Sequence, residues 1–454
     1  MRAARWLLLA TACSPVATET SAPDDAQDAA PSTADAPLDS AGSPLPEPPI
    51  IESMATCDHE GVRSVVVPAH DGDDAPRLRL HYRVSPAESP NAPTVVVIPG
   101  GPGQAIMHES PTRPFALGAV PYPAVSLLSL DVRGSGCNVY SDDAGPPEQV
   151  YSIDRAASDV ASIVAAEGLT DYVLYGASFG TAVATAAAHE LERRGLPAPK
   201  RLVLEGALGR AFPSFDAYFD AFEAEWRRVV PMLGPAWQTA FATEPWPELL
   251  FWTREQWGAF ASAQLILGDY PGEGHLLDYW LDGLSAEDDA AQAYVAAFMH
   301  SVPDFRATAP ITATERLFRT VACQELWGGW LPGRELRAGE LHAVGEDLCA
   351  SGLERPWDAS RYPSQVPVVI FHGPYDPTTD TEQATAAYDA HAGASRAFVT
   401  VPDAAHAPLT LGLAARGCAP AVWAALVSAE PDLGALLEET LSTCTTDAVS
   451  VTWE

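Results

Sequence analysis

The chain has 454 residues, 47% of them apolar, and sets 26 lysines and arginines against 60 aspartates and glutamates for a formal net charge of −34. That length allows one large domain with an insertion, or two domains, and the apolar fraction is ordinary for a globular protein. The charge describes a soluble, self-repelling surface; it excludes nucleic acid, whose phosphates demand a basic surface, and electrostatic docking on anionic lipid.

Residues 1–13, MRAARWLLLATAC, read as an export signal: Arg2 and Arg5 open it, Trp6 to Ala10 form a short apolar run, and Ala10-Thr11-Ala12 is a small-residue cleavage site. Cys13 follows directly and resembles the lipidated cysteine of a bacterial lipoprotein, although Ala10-x-Ala12 also suits plain secretion. Both readings export the protein, to the bacterial cell envelope or beyond it; a cytosolic chain is the third. Membrane association is expected only through a lipid on Cys13, since no later stretch is apolar enough to span a bilayer. Residues 14–52 are rich in Ala, Pro, Ser, Thr and Asp, without lysine or arginine. Such a segment buries too little apolar surface to offset its ordering entropy, and reads as a disordered tether. Beyond Cys13 stand Cys57, Cys137, Cys323, Cys349, Cys418 and Cys444, an even set that in an exported chain points to disulfides. Free buried cysteines are the alternative. No C-x-x-C pair occurs, which argues against zinc; no metal or cofactor is expected.

The globular body starts near Met54. Residues 62–68 and 78–84 alternate between turn residues as an antiparallel strand pair at a sheet edge. Residues 94–98, TVVVI, form a buried strand that runs into Pro99-Gly100-Gly101-Pro102-Gly103, where backbone can approach a ligand closely. Residues 125–130 form another strand, ending in Asp131-Val132-Arg133-Gly134-Ser135-Gly136. Residues 154–167 have helical spacing, with Val160, Ile163 and Val164 on one face. A strand from Tyr172 to Tyr175 then meets Gly176-Ala177-Ser178-Phe179-Gly180, and a small-residue helix from Thr181 to Ala188 follows at once. Residues 201–204 form a strand ending in Glu205-Gly206. Between 207 and 365 no clean buried strand occurs, and nine of the chain's twelve tryptophans fall there. An inserted helical unit with its own aromatic core is the reading, a few rings lining a pocket. Buried strands resume at 367–372, ending in Gly373-Pro374-Tyr375-Asp376-Pro377, and at 396–401, followed by Pro402-Asp403-Ala404-Ala405-His406. Helices near 420–428 and 431–441 close the body.

Strand, G-x-S-x-G and helix together make the nucleophile elbow of the α/β-hydrolases: a serine on a turn this tight is held in strain with its hydroxyl lifted clear of the sheet. The competing reading is a glycine-rich turn with an incidental serine. Ser178, Asp376 and His406 stand at three strand ends in the chain order of that fold. Serine is a poor nucleophile near neutral pH, so His406 takes its proton and returns it to the leaving group, while Asp376 fixes the imidazole tautomer. Asp380 and Asp403 are fallback acids. The fold's two oxyanion N–H groups fall on Gly101, in the loop after the third strand, and Phe179, after the nucleophile.

Taken together, VVVIPGGPG, SLDVRGSG, YGASFGT, GPYDPTT and PDAAHAPL resemble the prolyl-aminopeptidase and tripeptidyl-aminopeptidase branch of the α/β-hydrolases, over residues 54–444. The resemblance implies a mostly parallel sheet flanked by helices, with a large helical cap inserted after the strand ending near Glu205. The domains are then a core of 53–206 and 366–454 around a cap of 207–365, behind the linker and signal. The resemblance also implies hydrolysis of a peptide, or a small amide or ester, at a free N-terminus, by a monomer without a cofactor. Pro99, Ala405 and Asp380 depart from the branch, where histidine, glycine and proline are usual. By the same resemblance Cys323 pairs with Cys349 and Cys418 with Cys444, leaving Cys57 with Cys137, and acidic residues grip the substrate ammonium, here Glu205 and Glu325. Three functions stand: an exported serine aminopeptidase, an esterase or lipase-like hydrolase with the same triad, and a catalytically silent surface-binding lipoprotein.

Overall fold

The computed structural model describes residues 47–214, 313–327 and 353–453, with 217, 218, 220 and 224, and without 73, 109–120, 377, 403, 415, 429–432 and 445–448. Its strands are β1 (Ile50–Ile51), β2 (Val62–Pro68), β3 (Arg77–Ser85), β4 (Thr94–Ile98), β5 (Ser126–Leu130), β6 (Tyr172–Ala177), β7 (Arg201–Glu205), β8 (Val368–His372), β9 (Arg396–Thr400) and β10 (Ser450–Trp453). They form one sheet in the order β1-β3-β5-β4-β6-β7-β8-β9-β10, with β2 paired to β3. From β5 to β9 every pairing is parallel; β3 runs antiparallel to β2 and β5 and parallel to β1, and β10 runs antiparallel to β9.

Side chains alternate across a strand, so a sheet covered on both faces needs strands that are apolar throughout. That is why VVV, LVL and VVIF runs form its centre. Val96, Ile98, Leu174, Leu204 and Ile370 enter one core with helices α1 (Ile153–Glu167) and α2 (Phe179–Arg193). Val95, Val97, Val173, Val203, Val369 and Phe371 enter the opposite core. α1 starts where Ser152 Oγ accepts the Arg155 N–H at 3.1 Å, and it stops at Gly168 with φ 62°. The alanines of α2 let it lie close along α1 and the sheet.

Further helices are α3 (Ala313–Val321), α4 (Thr381–Ala390), α5 (Ala419–Val427) and α6 (Leu433–Cys444), beside a single turn at Pro147–Val150; Trp423 and Leu437 of α5 and α6 join the second core. Three elements differ from the sequence reading. β1 pairs with β3 inside 14–52, the stretch read as a disordered tether, so the ordered chain begins before Met54. β10 adds an antiparallel edge strand beside β9, and α4 follows β8 directly. The side chain of Asp380, a fallback acid on sequence grounds, accepts the Gln383 N–H at 3.0 Å and caps α4.

Most of 207–365 lies outside the described residues, Cys349 and seven tryptophans among them. Of the described part, α3 runs into a π-helical turn, Ala322–Leu326, and the backbones of Arg210 and Asp358 pair in an isolated antiparallel β-bridge. Trp327 stacks on Tyr218 (4.8 Å) and Trp357 on Tyr362 (5.0 Å), so both fill aromatic packing. Cys57 and Cys137 form a disulfide with Cα atoms 5.7 Å apart. Cys323 and Cys418 are each disulfide-bonded as well. Cys13, Asp403 and the side chain of Cys444 lie outside the described residues. Among the described residues no helix is long and apolar enough to cross a membrane.

Candidate active site

Ser178 joins the end of β6 to the start of α2. It has φ 53° and ψ −123°, and among the described residues it alone combines a side chain with positive φ. A non-glycine residue held there stores about 1–3 kcal/mol and persists only where its surroundings over-determine it. The neighbouring glycines supply that determination. A Cβ on Gly176 would lie 2.3 Å from the Gly180 carbonyl oxygen, and one on Gly180 would lie 2.3 Å from that of Ile98. The helix therefore presses onto β4 and β6 at a distance only glycine allows, and the turn lifts a partly exposed Ser178 above the sheet. Ser178 N–H donates to the Glu205 carbonyl at 2.8 Å, tying the elbow to the end of β7.

The other two residues meet at the same edge. His406 Nδ1 lies 2.8 Å from Asp376 Oδ2; the aspartate is buried and the imidazole keeps an edge open to solvent. Asp376 Oδ1 accepts the N–H groups of Thr378 and Thr379, and Oδ2 also accepts the Thr379 hydroxyl at 2.5 Å. Burial alone would raise the Asp376 pKa; the charge and hydrogen bond of His406, with those Thr379 contacts, outweigh it and hold the carboxyl below its usual range. Burial likewise disfavours the His406 imidazolium, but the Asp376 charge and hydrogen bond, and the charge of Glu205, raise its pKa above 6.5. The ring packs on Gly206, where a Cβ would come within 2.8 Å of Cε1 and Nδ1. Gly206 follows Glu205, whose carbonyl holds Ser178. A short chain of contacts thus brings Ser178, His406 and Asp376 to one edge of the sheet. Among the described residues no hydrogen bond joins the Ser178 hydroxyl to the imidazole; such bonds often tighten only with substrate.

Phe179 opens α2, so its N–H belongs to the first helical turn, which has no intrahelical acceptor. In the loop after β4 the residue set against Ser178 is Gly100: a Cβ there would lie 3.1 Å from Ser178 Cβ. Its N–H donates to Gln104 Oε1 at 3.0 Å. Gly101, the residue the sequence nominates, is the next one along, exposed with φ 114°. Sequence reasoning missed Gln104, and it missed Asp131. Buried Asp131 accepts the N–H groups of Ile106 and Met107 through Oδ1 and of Cys137 through Oδ2, and so fixes the loop beyond the glycines. Its place in D-x-R-G-x-G was the available signal.

The two carboxylates nominated for a substrate amine have other occupations. Glu205 is buried; Oε1 accepts the N–H groups of Leu409 (2.7 Å) and Thr410 (2.8 Å), and Oε2 accepts the Tyr175 hydroxyl. Glu325 is buried in the π-helical turn, where Oε2 accepts the Ile153 N–H at 2.8 Å and caps α1. Burial pushes its pKa up to about 7, against that N–H and the charge of Arg355. Internal donors take both oxygens of Glu205, which leaves none turned outward for an ammonium; Glu325 commits Oε2 to Ile153, and its Oε1 lies 3.7 Å from Arg355 Nε. Among the described residues no group of three or more His, Cys, Asp or Glu side chains is placed to hold a metal ion.

Residues 93–412 match the family model described as the alpha/beta hydrolase fold. A search of curated proteins finds no match. Among solved structures the chain is similar to VinJ, at 15% identity and a TM-score of 0.40, covering 77% of this chain and 94% of that one. It is similar to the esterase RhEst1 from Rhodococcus sp. ECU1013, at 17% and 0.39, over 77% and 93%. It is also similar to a proline iminopeptidase from Mycobacterium smegmatis, at 14% and 0.41, over 84% and 100%. Overlaps this loose do not discriminate among substrates.

Proposed function

Because this chain belongs to the α/β-hydrolase family, we propose that it is a serine hydrolase that opens an ester or amide bond through an acyl-enzyme on Ser178. The observation that carries this reading is the His406–Asp376 pair packed on Gly206, one residue from the carbonyl that holds the strained serine. Ser178 Oγ attacks the substrate carbonyl carbon and His406 Nε2 takes its proton. The carbonyl oxygen becomes an oxyanion facing the Phe179 N–H and the glycine loop. The intermediate collapses, and the alcohol or amine leaves with the proton from His406. Water, deprotonated by the same imidazole, attacks the acyl-enzyme and restores Ser178, so that substrate and water yield an acid and an alcohol or amine. Asp376 keeps Nδ1–H donated throughout and stabilises the imidazolium.

The GGPG, DVRGSG and GASFGT motifs favour a peptide with a free N-terminus as substrate, in the manner of the prolyl and tripeptidyl aminopeptidases. A second reading, a small uncharged ester or amide, is favoured by the internal commitment of Glu205 and Glu325. The export signal, with Cys13 as its lipid attachment point, and the bonded state of Cys57, Cys137, Cys323 and Cys418 support an exported enzyme. The core of 53–206 and 366–454 around a cap of 207–365 remains the proposed division.

The test labels the protein with a serine-directed phosphonate and compares a peptide anilide, its N-acetylated form and a short acyl ester. The acyl-enzyme reading expects labelling that Ser178→Ala abolishes; an unlabelled protein refutes it. Turnover of the free peptide that acetylation abolishes supports the aminopeptidase. Equal turnover of both peptides, or of the ester alone, leaves the esterase.

A further inference from the structure

Glu205 touches both sides of the site. Its backbone oxygen accepts the Ser178 N–H at 2.8 Å. Its side chain reaches the turn that follows the base, where Pro408–Leu413 forms a π-helical segment starting two residues after His406. Oε1 accepts the N–H groups of Leu409 and Thr410 and, at 3.1 Å, the Thr410 hydroxyl; Oε2 accepts the Tyr175 hydroxyl on β6. Tyr175 is itself fixed by Trp423, edge-on at 5.3 Å. The backbone carrying His406 is thus bolted to the strand that carries the nucleophile's hydrogen bond, through a carboxylate sealed from water.

We propose that Glu205 is the positioning residue that keeps the His406 imidazole in register with the Ser178 hydroxyl, an inference that rests on the acyl-enzyme reading above. The competing role, gripping a substrate amine, would need an oxygen facing the site. Here Oε1 faces the turn and Oε2 faces β6. The titratable groups facing the carboxyl are Tyr175, from β6, and His406, with Asp376 beyond the ring. Removing the side chain would take away the acceptor of two buried N–H groups and of the Thr410 and Tyr175 hydroxyls, and the turn would move to find others. A displacement of about 1 Å at a catalytic group costs on the order of 10²-fold in rate.

Glu205→Ala and Glu205→Gln separate this role from simple burial. Glutamine keeps an oxygen for Leu409 and Thr410 and turns its NH2 toward Tyr175. Turnover of the best ester or anilide is measured per phosphonate-labelled Ser178, so that only folded sites count. Glu205→Ala is expected to lower kcat by about 10²-fold with KM nearly unchanged, and Glu205→Gln to recover most of it. A kcat within twofold of wild type in Glu205→Ala, a loss carried by KM, or no recovery in Glu205→Gln would overturn the proposal. Should Glu205→Ala not fold, Tyr175→Phe frees one anchor of the carboxyl; it is expected to lower kcat severalfold at constant KM, and an unchanged kcat again overturns the inference. Failure of wild-type protein to take the phosphonate would refute the acyl-enzyme reading instead, so the two failures are distinct.

Discussion

Gly206→Ala tests how closely the imidazole is held. Gly206 has φ 60°, and a Cβ built on it lies 2.8 Å from Cε1, Nδ1 and the backbone oxygen of His406. Ordinary contacts of a Cβ are about 3.4–4 Å, so the ring must retreat by roughly 0.6–1 Å. It has little freedom to do so, because Nδ1 is bonded to Asp376 at 2.8 Å and the following turn is tied to Glu205. A shift of that size costs about 10²-fold in kcat, or ~2.7 kcal/mol of barrier. Alanine in a left-handed conformation adds a separate penalty of roughly 1–2 kcal/mol to folding. Gly168 isolates the second effect from the first: its φ is 62° and a Cβ there meets nothing within 4 Å. Gly168→Ala is therefore expected to lose about the same stability and none of the activity. The assay is steady-state hydrolysis of an ester or anilide per phosphonate-labelled site, beside thermal denaturation of both variants. Equal activity in the two variants, at equal cost in stability, would refute the placement of the imidazole over residue 206.

Three further outcomes follow from the same geometry. Ser178→Gly removes a side chain from a strained backbone and is expected to stabilise the fold by about 1 kcal/mol while abolishing labelling; calorimetry with mass spectrometry reads both. His406 must be neutral to accept a proton, and its pKa is raised above 6.5 by Asp376 against the effect of burial. The kcat/KM profile should then fall on its acid side with a midpoint above 6.5, and Asp376→Asn should move that midpoint lower while reducing kcat by about 10⁴-fold. His391 is buried, neither of its ring nitrogens has a hydrogen-bond partner among the described residues, and burial lowers its pKa to about 4. The unfolded chain binds a proton there near pH 6.5 and the folded one does not, so stability is lost as pH falls from 6.5 toward 4, by up to about 3 kcal/mol. In urea titrations across that range, the stability of wild type relative to His391→Leu should fall as pH drops.

The elbow could be read from the sequence because its physics is local. Gly176, Ser178 and Gly180 span five positions, and the apolar runs on either side report a buried strand and a helix without any distant partner. The parallel strands were legible for the same reason, since both faces of 94–98 and 367–372 are apolar. β10 was not: Ser450–Trp453 is short, and it pairs only with β9 at the sheet edge. α4 carried a signal that went unread, with Asp380 three residues before Gln383 and bonded to its N–H. The inward hydrogen bonds of Glu205 and Glu325 were not legible because their partners lie far along the chain. Leu409 is 204 positions from Glu205, and Ile153 is 172 from Glu325. Among 60 acidic residues, nothing next to either one distinguishes an inward carboxylate from one that meets a ligand.

The contrast between Glu205 and Asp376 carries this further. They are carboxylates at the ends of neighbouring parallel strands, β7 and β8, and His406 contacts the ends of both. Either type of side chain can orient an imidazole. The backbone that follows β9 decides between them. Its turn after His406 offers N–H groups to Glu205, and those bonds, with Tyr175, consume both oxygens. The loop after β8 folds back on Asp376 through Thr378 and Thr379 and still leaves Oδ2 in reach of Nδ1. The acid of the proposed triad is the carboxylate whose local donors leave an oxygen facing the ring, and its neighbour is the proposed strut for the ring's backbone. Exchanging the two roles would require moving the donors, not the acids, and a sequence shows acids far more plainly than it shows backbone N–H groups.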